Sequence, residues 1–265
     1  ILFIFVIIIC FFIFIMNKKK LLSIVTLPIM WLIYLLFELF TGRINDLTTI
    51  IGNIFLILLF AIVGYAFYVF TSKKINGLTT KEIFSFFFIL MLIDQGIKII
   101  IKLFFFNSYF AIFNGFLSFN PIINTDGSWL NARFGTSISF PILIILNILA
   151  LIIFVELYRY YKSKGNKDIF SDLTIIFIVA GASCSLIDKI FYGGSLDFIG
   201  ISNLFIADFK DIYINLGILF LIILLYNNGF FSNADDTTLK EDFKSIKKFI
   251  IFMGKDIKSI ISKNK

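Results

Sequence analysis

Seven long runs of apolar residues, separated by short polar breaks, decide what this chain can fold into. They cover roughly residues 1–16, 21–40, 48–70, 82–106, 137–158, 171–192 and 204–226. A helix rises 1.5 Å per residue, so about 20 apolar residues cross the ~30 Å hydrocarbon core of a bilayer. At that depth each segment must satisfy its own backbone hydrogen bonds, which makes helix the form available to runs this long. The expected fold class is an all-α membrane protein with about seven transmembrane helices. The composition agrees: the chain is 59% hydrophobic and holds 37 Phe, well above the apolar share of a soluble domain. The first run is short and opens at Ile1, and it reads as part of a longer helix. Its basic residues, Lys18-Lys19-Lys20, follow it, which is the wrong order for a cleaved signal peptide.

The net charge of +7 is placed unevenly. Lysine and arginine collect at residues 18–20, at Lys73, Lys74 and Lys81, across 159–167, and in the tail after Tyr226. If the seven helices alternate, all four segments fall on one side, and the positive-inside rule makes that side cytoplasmic. The other side receives 41–49, the long connection 107–136, and 188–203. The N-terminus is then outside and the C-terminus inside. Charge used in this way points to membrane lipids as partners, and not to nucleic acid. The 107–136 connection is too long for a turn. With Pro121, Gly127 and alternating aromatics it is expected to form a short irregular or β segment at the extracytoplasmic surface.

Three regions follow. Residues 1–72 form an N-terminal three-helix membrane region in which no chemistry is apparent. After a polar linker, with Thr79-Thr80-Lys81-Glu82 as a helix start, residues 82–226 form a four-helix region. Residues 227–265 form a cytoplasmic tail. There Ile246, Phe249, Ile250, Met253, Ile257, Ile260 and Ile261 recur at helical spacing and lysines fill the other face, the pattern of a helix lying on an anionic leaflet.

The chemistry concentrates late in the chain. Asp188, Asp197, Asp208 and Asp211 all fall between residues 188 and 211, inside or beside apolar runs. A carboxylate at membrane depth costs several kcal/mol and reads as functional by default. Two carboxyls a few Å apart in low dielectric share one proton, so that one serves as general base and the other as general acid. The chain has no His, which excludes His-dependent triads and His-based zinc sites, and its two cysteines, Cys10 and Cys184, lie in separate runs as expected of small buried residues. No metal and no cofactor is expected. Asp94 lies in an apolar run with Lys98 one turn on, an i,i+4 pair.

Residues 82–226 resemble the lipoprotein signal peptidases, or signal peptidase II, bacterial enzymes that cut the signal peptide from prolipoproteins just before a lipid-modified cysteine. Asp94-Gln95-Gly96-Ile97-Lys98 resembles the family's D-Q-x-x-K. Asn124-Thr125-Asp126-Gly127-Ser128-Trp129 resembles its N-x-G-x-x-F/W loop with one residue extra. Gly181 to Asp188-Lys189, then Gly193 to Asp197-Phe198, resembles G-x-x-G-N-x-x-D-R followed by V-x-D-F. Asp208-Phe209-Lys210-Asp211 with Ile214 and Gly217 resembles N-x-A-D-x-x-I-x-x-G. Ser185 stands where the family has Asn and Lys189 where it has Arg. The segment between Asp197 and the last motif is shorter than the family's.

The resemblance implies a divergent member with three extra N-terminal helices: an intramembrane aspartyl endopeptidase at the outer face of the bacterial cytoplasmic membrane, acting on lipid-modified prolipoproteins. It implies Asp197 and Asp211 as the catalytic pair. A second register puts Asp208 in Asp211's place, since Ile206-Ala207-Asp208 copies x-A-D locally. Asp211 is preferred because Ile214 and Gly217 then fall at +3 and +6. In that register Asp208→Asn restores the family's residue and is the milder change. Asp94, Lys98, Asn124, Gly127, Ser185, Asp188 and Lys189 are implied as substrate-positioning or structural support, with Asp188 and Lys189 together orienting the catalytic loop. Two other classes fit the same aspartates: a non-catalytic membrane scaffold, and an ion-coupled transporter. The second is the weaker, since the chain shows no internal repeat of helix groups.

Overall fold

The computed structural model describes residues 18–231 and 239–263. The first apolar run, expected as a helix over 1–16, lies outside the described residues. Within them the helices are α1 (Lys18–Phe40), α2 (Leu47–Ser72), α3 (Thr80–Ile100), a single-turn α4 (Trp129–Phe134), α5 (Phe140–Ser163), α6 (Ile169–Ile187), α7 (Phe209–Asn227) and α8 (Leu239–Lys263). A π-helical turn extends α3 over Ile101–Phe105, and another extends α6 over Asp188–Tyr192. Six of these, α1, α2, α3, α5, α6 and α7, are long and apolar enough to cross a membrane. The protein is a mostly helical, multi-pass membrane protein.

The helix starts are written in the polar breaks. Asp46 opens α2 by accepting the Thr49 N–H at 2.7 Å. Thr79 and Glu82 close a reciprocal capping box on α3. Asp168 opens α6 by accepting the Ser171 N–H at 3.0 Å. Asp208 and Asp211 form the capping box of α7, each carboxylate accepting the other's backbone N–H at 3.3 and 3.2 Å. Asp211 is therefore the third residue of the helix, and Asp208 is the residue that opens it.

The connections also contribute a four-stranded sheet, ordered β1 (Phe110–Ile112), β2 (Leu117–Asn124), β3 (Ser195–Ile201), β4 (Phe205–Ala207). β1 and β2 are antiparallel, with Phe110 opposite Phe119 and their rings stacked 4.7 Å apart. β1 and β2 are the β segment expected in the 107–136 connection. β3 and β4 come from the second connection, where the sequence suggests only a flexible re-entry after Gly193-Gly194. Gly193, at φ +63°, ends the helical stretch in the left-handed conformation that glycine adopts at no steric cost, and the chain leaves it as a strand.

The chain divides into two compact units. The first comprises the described part of Ile1–Ile75 with Phe110–Phe119 and Gly200–Phe205. In it α1 and α2 touch backbone to backbone: a Cβ at Gly64 would sit 2.6 Å from the Ser23 carbonyl. Buried Asn53 accepts the Trp31 indole N–H at 3.0 Å and donates to the Thr49 carbonyl at 2.8 Å. Arg43 donates to the carbonyls of Asn203 and Leu204 at 2.9 and 2.7 Å and reaches fully buried Glu38 at 3.4 Å.

The second unit comprises Asn76–Tyr109, Asn120–Ile199 and Ile206–Lys265. α6 is its most buried helix, packed against α3, α5 and α7. Glycines bring α6 and α7 together: a Cβ at Gly181 would meet Ile214 Cγ1 at 2.7 Å, and one at Gly217 would meet Ile178 Cγ1 at 2.6 Å. Gly217→Val is expected to destabilise the protein by about 1–3 kcal/mol, the usual cost of overpacking. Gly96→Val is the control, because an added Cβ there meets nothing within 4 Å. Thermal unfolding of the two variants in detergent checks the difference. At the other end of α6, fully buried Asp172 accepts from the Leu78 N–H, the Tyr158 hydroxyl and the Lys162 ammonium at 2.7, 2.8 and 2.7 Å. α8 docks on α5 through Arg159, whose Nη2 donates to Asp256 Oδ1 at 2.9 Å, and through Tyr160, whose ring contacts Phe249 and Phe252. Ile246, Ile250 and Ile261 of α8 stay exposed.

Candidate active site

Four elements of the second unit converge on one buried polar cluster. α3 contributes Asp94, Gln95 and Lys98. The π-helical turn after α6 contributes Asp188. β3 contributes Ser195 and Asp197, and the start of α7 contributes Asp208, Lys210 and Asp211. Asp94 and Asp208 are fully buried, and Asp188 and Asp197 nearly so. The end of β2 adds Asn124. Gly194 makes that approach possible, because a Cβ there would lie 2.9 Å from the Asn124 carbonyl oxygen.

Two lysines organise the carboxylates. Lys98 Nζ lies 2.9 Å from Asp94, 2.8 Å from Asp188 and 2.6 Å from Asp208. Lys210 Nζ lies 2.6 Å from Asp208, 3.5 Å from Asp197, 3.6 Å from Asp188 and 3.9 Å from Asp211. Lys210 also donates to Ser195 Oγ at 2.6 Å, while Ser195 has Asp188 and Asp208 as acceptors at 3.0 and 3.1 Å. Gln95 donates to Asp94 at 2.9 Å and to Asp188 at 3.3 Å. Asn124 Nδ2 donates to Asp197 Oδ2 at 2.7 Å.

Five carboxyl groups thus lie within 4 Å of the two ammonium groups of Lys98 and Lys210. The carboxyls differ. Burial pushes the Asp208 carboxyl up, but Lys210 and Lys98 outweigh it and hold the group below the usual carboxylate range. Burial pushes Asp197 up as well, and there Lys210 offsets only part of the effect, so its carboxyl sits above that range. Asp211 is the open member, its side chain 43% exposed. Carboxylate oxygens of Asp197, Asp208 and Asp211 all lie within 4.8 Å of one another. That spacing suits a cation, and the cation among them is the Lys210 ammonium.

Most of the residues singled out from the sequence come together, and some take other partners than expected. Asp94 and Lys98 form their i,i+4 pair, buried inside the cluster. Asp197 and Asp211 approach each other, with Asp208 beside them. Asp188 and Lys189 take different hydrogen-bond partners: Asp188 accepts from Lys98 and Ser195, and Lys189 donates to Ser185 Oγ at 2.6 Å. Successive helical residues point about 100° apart, so neighbours in sequence face different partners. Gly127, at φ +73°, lies in the turn after Asn124, whose side chain accepts the Asp126 N–H at 3.0 Å. Lys210 and Ser195 escaped the sequence reading. The signal for Lys210 was a lysine between two aspartates at an apolar helix start. Ser195 carries no comparable mark.

These features define a class: a multi-pass membrane protein with a buried carboxylate–lysine cluster where one helix begins and a strand passes. Residues 86–227 match the signal peptidase (SPase) II family. The chain belongs to that family. It is similar to a lipoprotein signal peptidase of Wigglesworthia glossinidia brevipalpis, 35% identical over 97 residues. Those residues make 35% of this chain and 61% of that relative, so the chain spans about three fifths of the relative's length. Two solved chains described as bacterial membrane enzymes are also similar, at 21% and 22% identity with TM-scores of 0.48 and 0.47. They cover 63% and 57% of this chain and are themselves covered over 97% and 96% of their length.

Proposed function

We propose that this protein is an aspartyl endopeptidase that removes signal peptides from lipid-modified prolipoproteins, with Asp197 and Asp211 as the reacting carboxyls. The observation that carries the reading is the placement of Asp197, Asp208 and Asp211 within 4.8 Å, a gap that one water at ~3 Å per hydrogen bond bridges. Family membership supports the substrate class. Asp208 is committed to two lysines and to the helix cap, whereas Asp211 is the carboxyl open to a substrate.

In this reading ionised Asp197 takes a proton from the bridging water, and the water oxygen attacks the scissile carbonyl carbon. Asp211 gives its proton to the carbonyl oxygen, and a neutral tetrahedral diol forms. Asp211, now ionised, takes a proton back from one diol hydroxyl as the carbonyl re-forms. Asp197 passes its proton to the amide nitrogen, the C–N bond breaks, and an acid and an amine leave. The dyad ends as it began, with one proton between two carboxyls. Asn124 orients Asp197; Lys98 holds Asp94, Asp188 and Asp208 together beneath the site.

The test is cleavage of a lipidated prolipoprotein by the purified chain in detergent, with Asp197→Asn as control. Failure of the wild-type chain to cut, with its fold intact, would favour the scaffold reading. The lysine distribution further supports a cytoplasmic side holding 159–167 and an outer side holding the aspartates. Ser163→Cys is therefore expected to resist a membrane-impermeant thiol reagent in intact cells, and efficient labelling would invert the topology.

A further inference from the structure

The last motif departs from the family pattern at two positions that touch. With Asp211 as the final aspartate, Asp208 stands at the motif's asparagine and Lys210 at its alanine. One departure adds a negative charge and the other a positive one, and Lys210 Nζ lies 2.6 Å from Asp208 Oδ2 in the buried cluster. We propose that Asp208 and Lys210 are a compensating ion pair in place of a neutral one, and that Lys210, reaching from Asp208 to Asp197, is a positioning residue for the Asp197 carboxylate. The positioning half rests on the reading of Asp197 as a reacting group; the compensating half does not.

The added aspartate calls for a second ammonium. Lys98 is already shared by Asp94 and Asp188, so an aspartate at 208 adds an anion for which that ammonium alone is too little. A buried charge stripped of its partner is strongly destabilising, whereas removing both partners together is often close to neutral. The groups facing Lys210 are Asp94 and Lys98 of α3, Asp188 and Lys189 of the π-helical turn, Asp197 of β3, and Asp208 and Asp211 of its own helix. Among the described residues it is the lysine within 4 Å of Asp197.

The hydrogen bonds fix its aim. Asp208 and Ser195 take two of the three ammonium protons at 2.6 Å each, and the third has Asp197 Oδ1 at 3.5 Å. Asn124 holds the other oxygen, Oδ2, at 2.7 Å. Both oxygens of Asp197 are thereby engaged, one from β2 and one from α7. Ser195 is a relay in this arrangement, and not a nucleophile activated by Lys210. Its proton has Asp188 and Asp208 as acceptors at 3.0 and 3.1 Å, and its oxygen accepts from the ammonium.

The test uses the full chain in detergent as wild type, Asp208→Asn, Lys210→Ala, and the double variant, which rewrites the segment to the family's pattern. Unfolding temperature is the first readout. Each single variant is expected to melt well below wild type, and the double within a few degrees of it. A loss in the double equal to the sum of the singles overturns the pairing. The second readout is the protonation midpoint of Asp197, followed by carboxyl infrared difference against Asp197→Asn. Lys210→Ala is expected to raise that midpoint by about one pH unit or more, tenfold in proton affinity, and Lys210→Arg to leave it within about 0.3 unit. Lys210→Gln, which loses the charge and keeps a donor, serves where Lys210→Ala does not fold. An unmoved midpoint in a folded, charge-free variant overturns the positioning. Neither readout needs cleavage, so a wild-type chain that cuts nothing defeats the peptidase reading and leaves both results interpretable.

Discussion

Asp197→Asn is expected to lower cleavage by about a thousandfold or more, the scale of losing a group that both takes and gives a proton. The same variant is expected to melt at a higher temperature than wild type at pH 8. The two effects share one cause. Burial holds the Asp197 carboxyl above its ordinary range, and the nearby Lys210 offsets only part of that. A carboxyl with a raised folded pKa makes the folded state bind more protons than the unfolded one. Its ionisation therefore costs stability, and the cost grows as pH rises through the folded value. Asparagine keeps the oxygen that Asn124 donates to and removes the charge. Each pH unit of raised affinity is worth about 1.4 kcal/mol, or roughly 3–6 °C in a domain of this size. The gain should shrink as pH falls and be gone below about pH 4, where both chains are neutral at this position. Asp208 has the opposite sign, since its carboxyl is held low. Its contribution is present above the ordinary carboxylate range and is lost as pH falls through its folded value. A higher activity cost paired with lower stability in Asp197→Asn would contradict this account.

The helices were legible because a membrane leaves a chain so little choice. α2, α3, α5 and α6 lie close to the apolar runs at 48–70, 82–106, 137–158 and 171–192, and their first residues follow Asp, Thr and Ser caps visible in the sequence. The strand β3 was not legible. Ser195 to Ile201 follow two glycines and read as a loose re-entry, because β3 owes its form to the strands beside it in the sheet rather than to its own pattern. The aspartates were legible as chemistry, since nothing apolar explains them. Their partners were harder. Asp188 and Lys189 look like a pair when written side by side, yet a helix turns them apart, and the partner of Asp188 comes from α3, ninety positions away in sequence. Asp208→Asn looks mild from the motif alone. Two ammonium groups at 2.6 Å lead us to expect it to be costly, because the change takes from Lys210 its nearest carboxylate and leaves it Asp197, Asp188 and Asp211 at 3.5–3.9 Å. Ion pairs between distant segments are the part of a site that one sequence conceals most completely.

Asp211→Asn is expected to remove cleavage as thoroughly as Asp197→Asn while leaving the fold in place. Asp211 is the third residue of α7, where its side chain accepts the Asp208 N–H at 3.2 Å. Asparagine keeps that acceptor, so the helix start survives. What it loses, in the proposed reaction, is the proton given to the carbonyl oxygen. Two carboxyls that share one proton act as a unit, so the double variant Asp197→Asn with Asp211→Asn should be no slower than either single one. Asp208→Asn offers the contrast. It spares the dyad and breaks a buried ion pair, so its activity loss should follow its loss of stability and recover in part when Lys210→Ala is added. Purified full-length variants, assayed on a lipidated prolipoprotein beside their melting curves, separate the two patterns. Retained cleavage in Asp211→Asn, with a well-folded but inactive Asp208→Asn, would transfer the acid's role to Asp208. The open carboxyl at 43% exposure would then be the cap, and the one gripped by two lysines the reacting group. That outcome is disfavoured on physical grounds: a carboxyl held ionised by two ammonium groups has no proton to give.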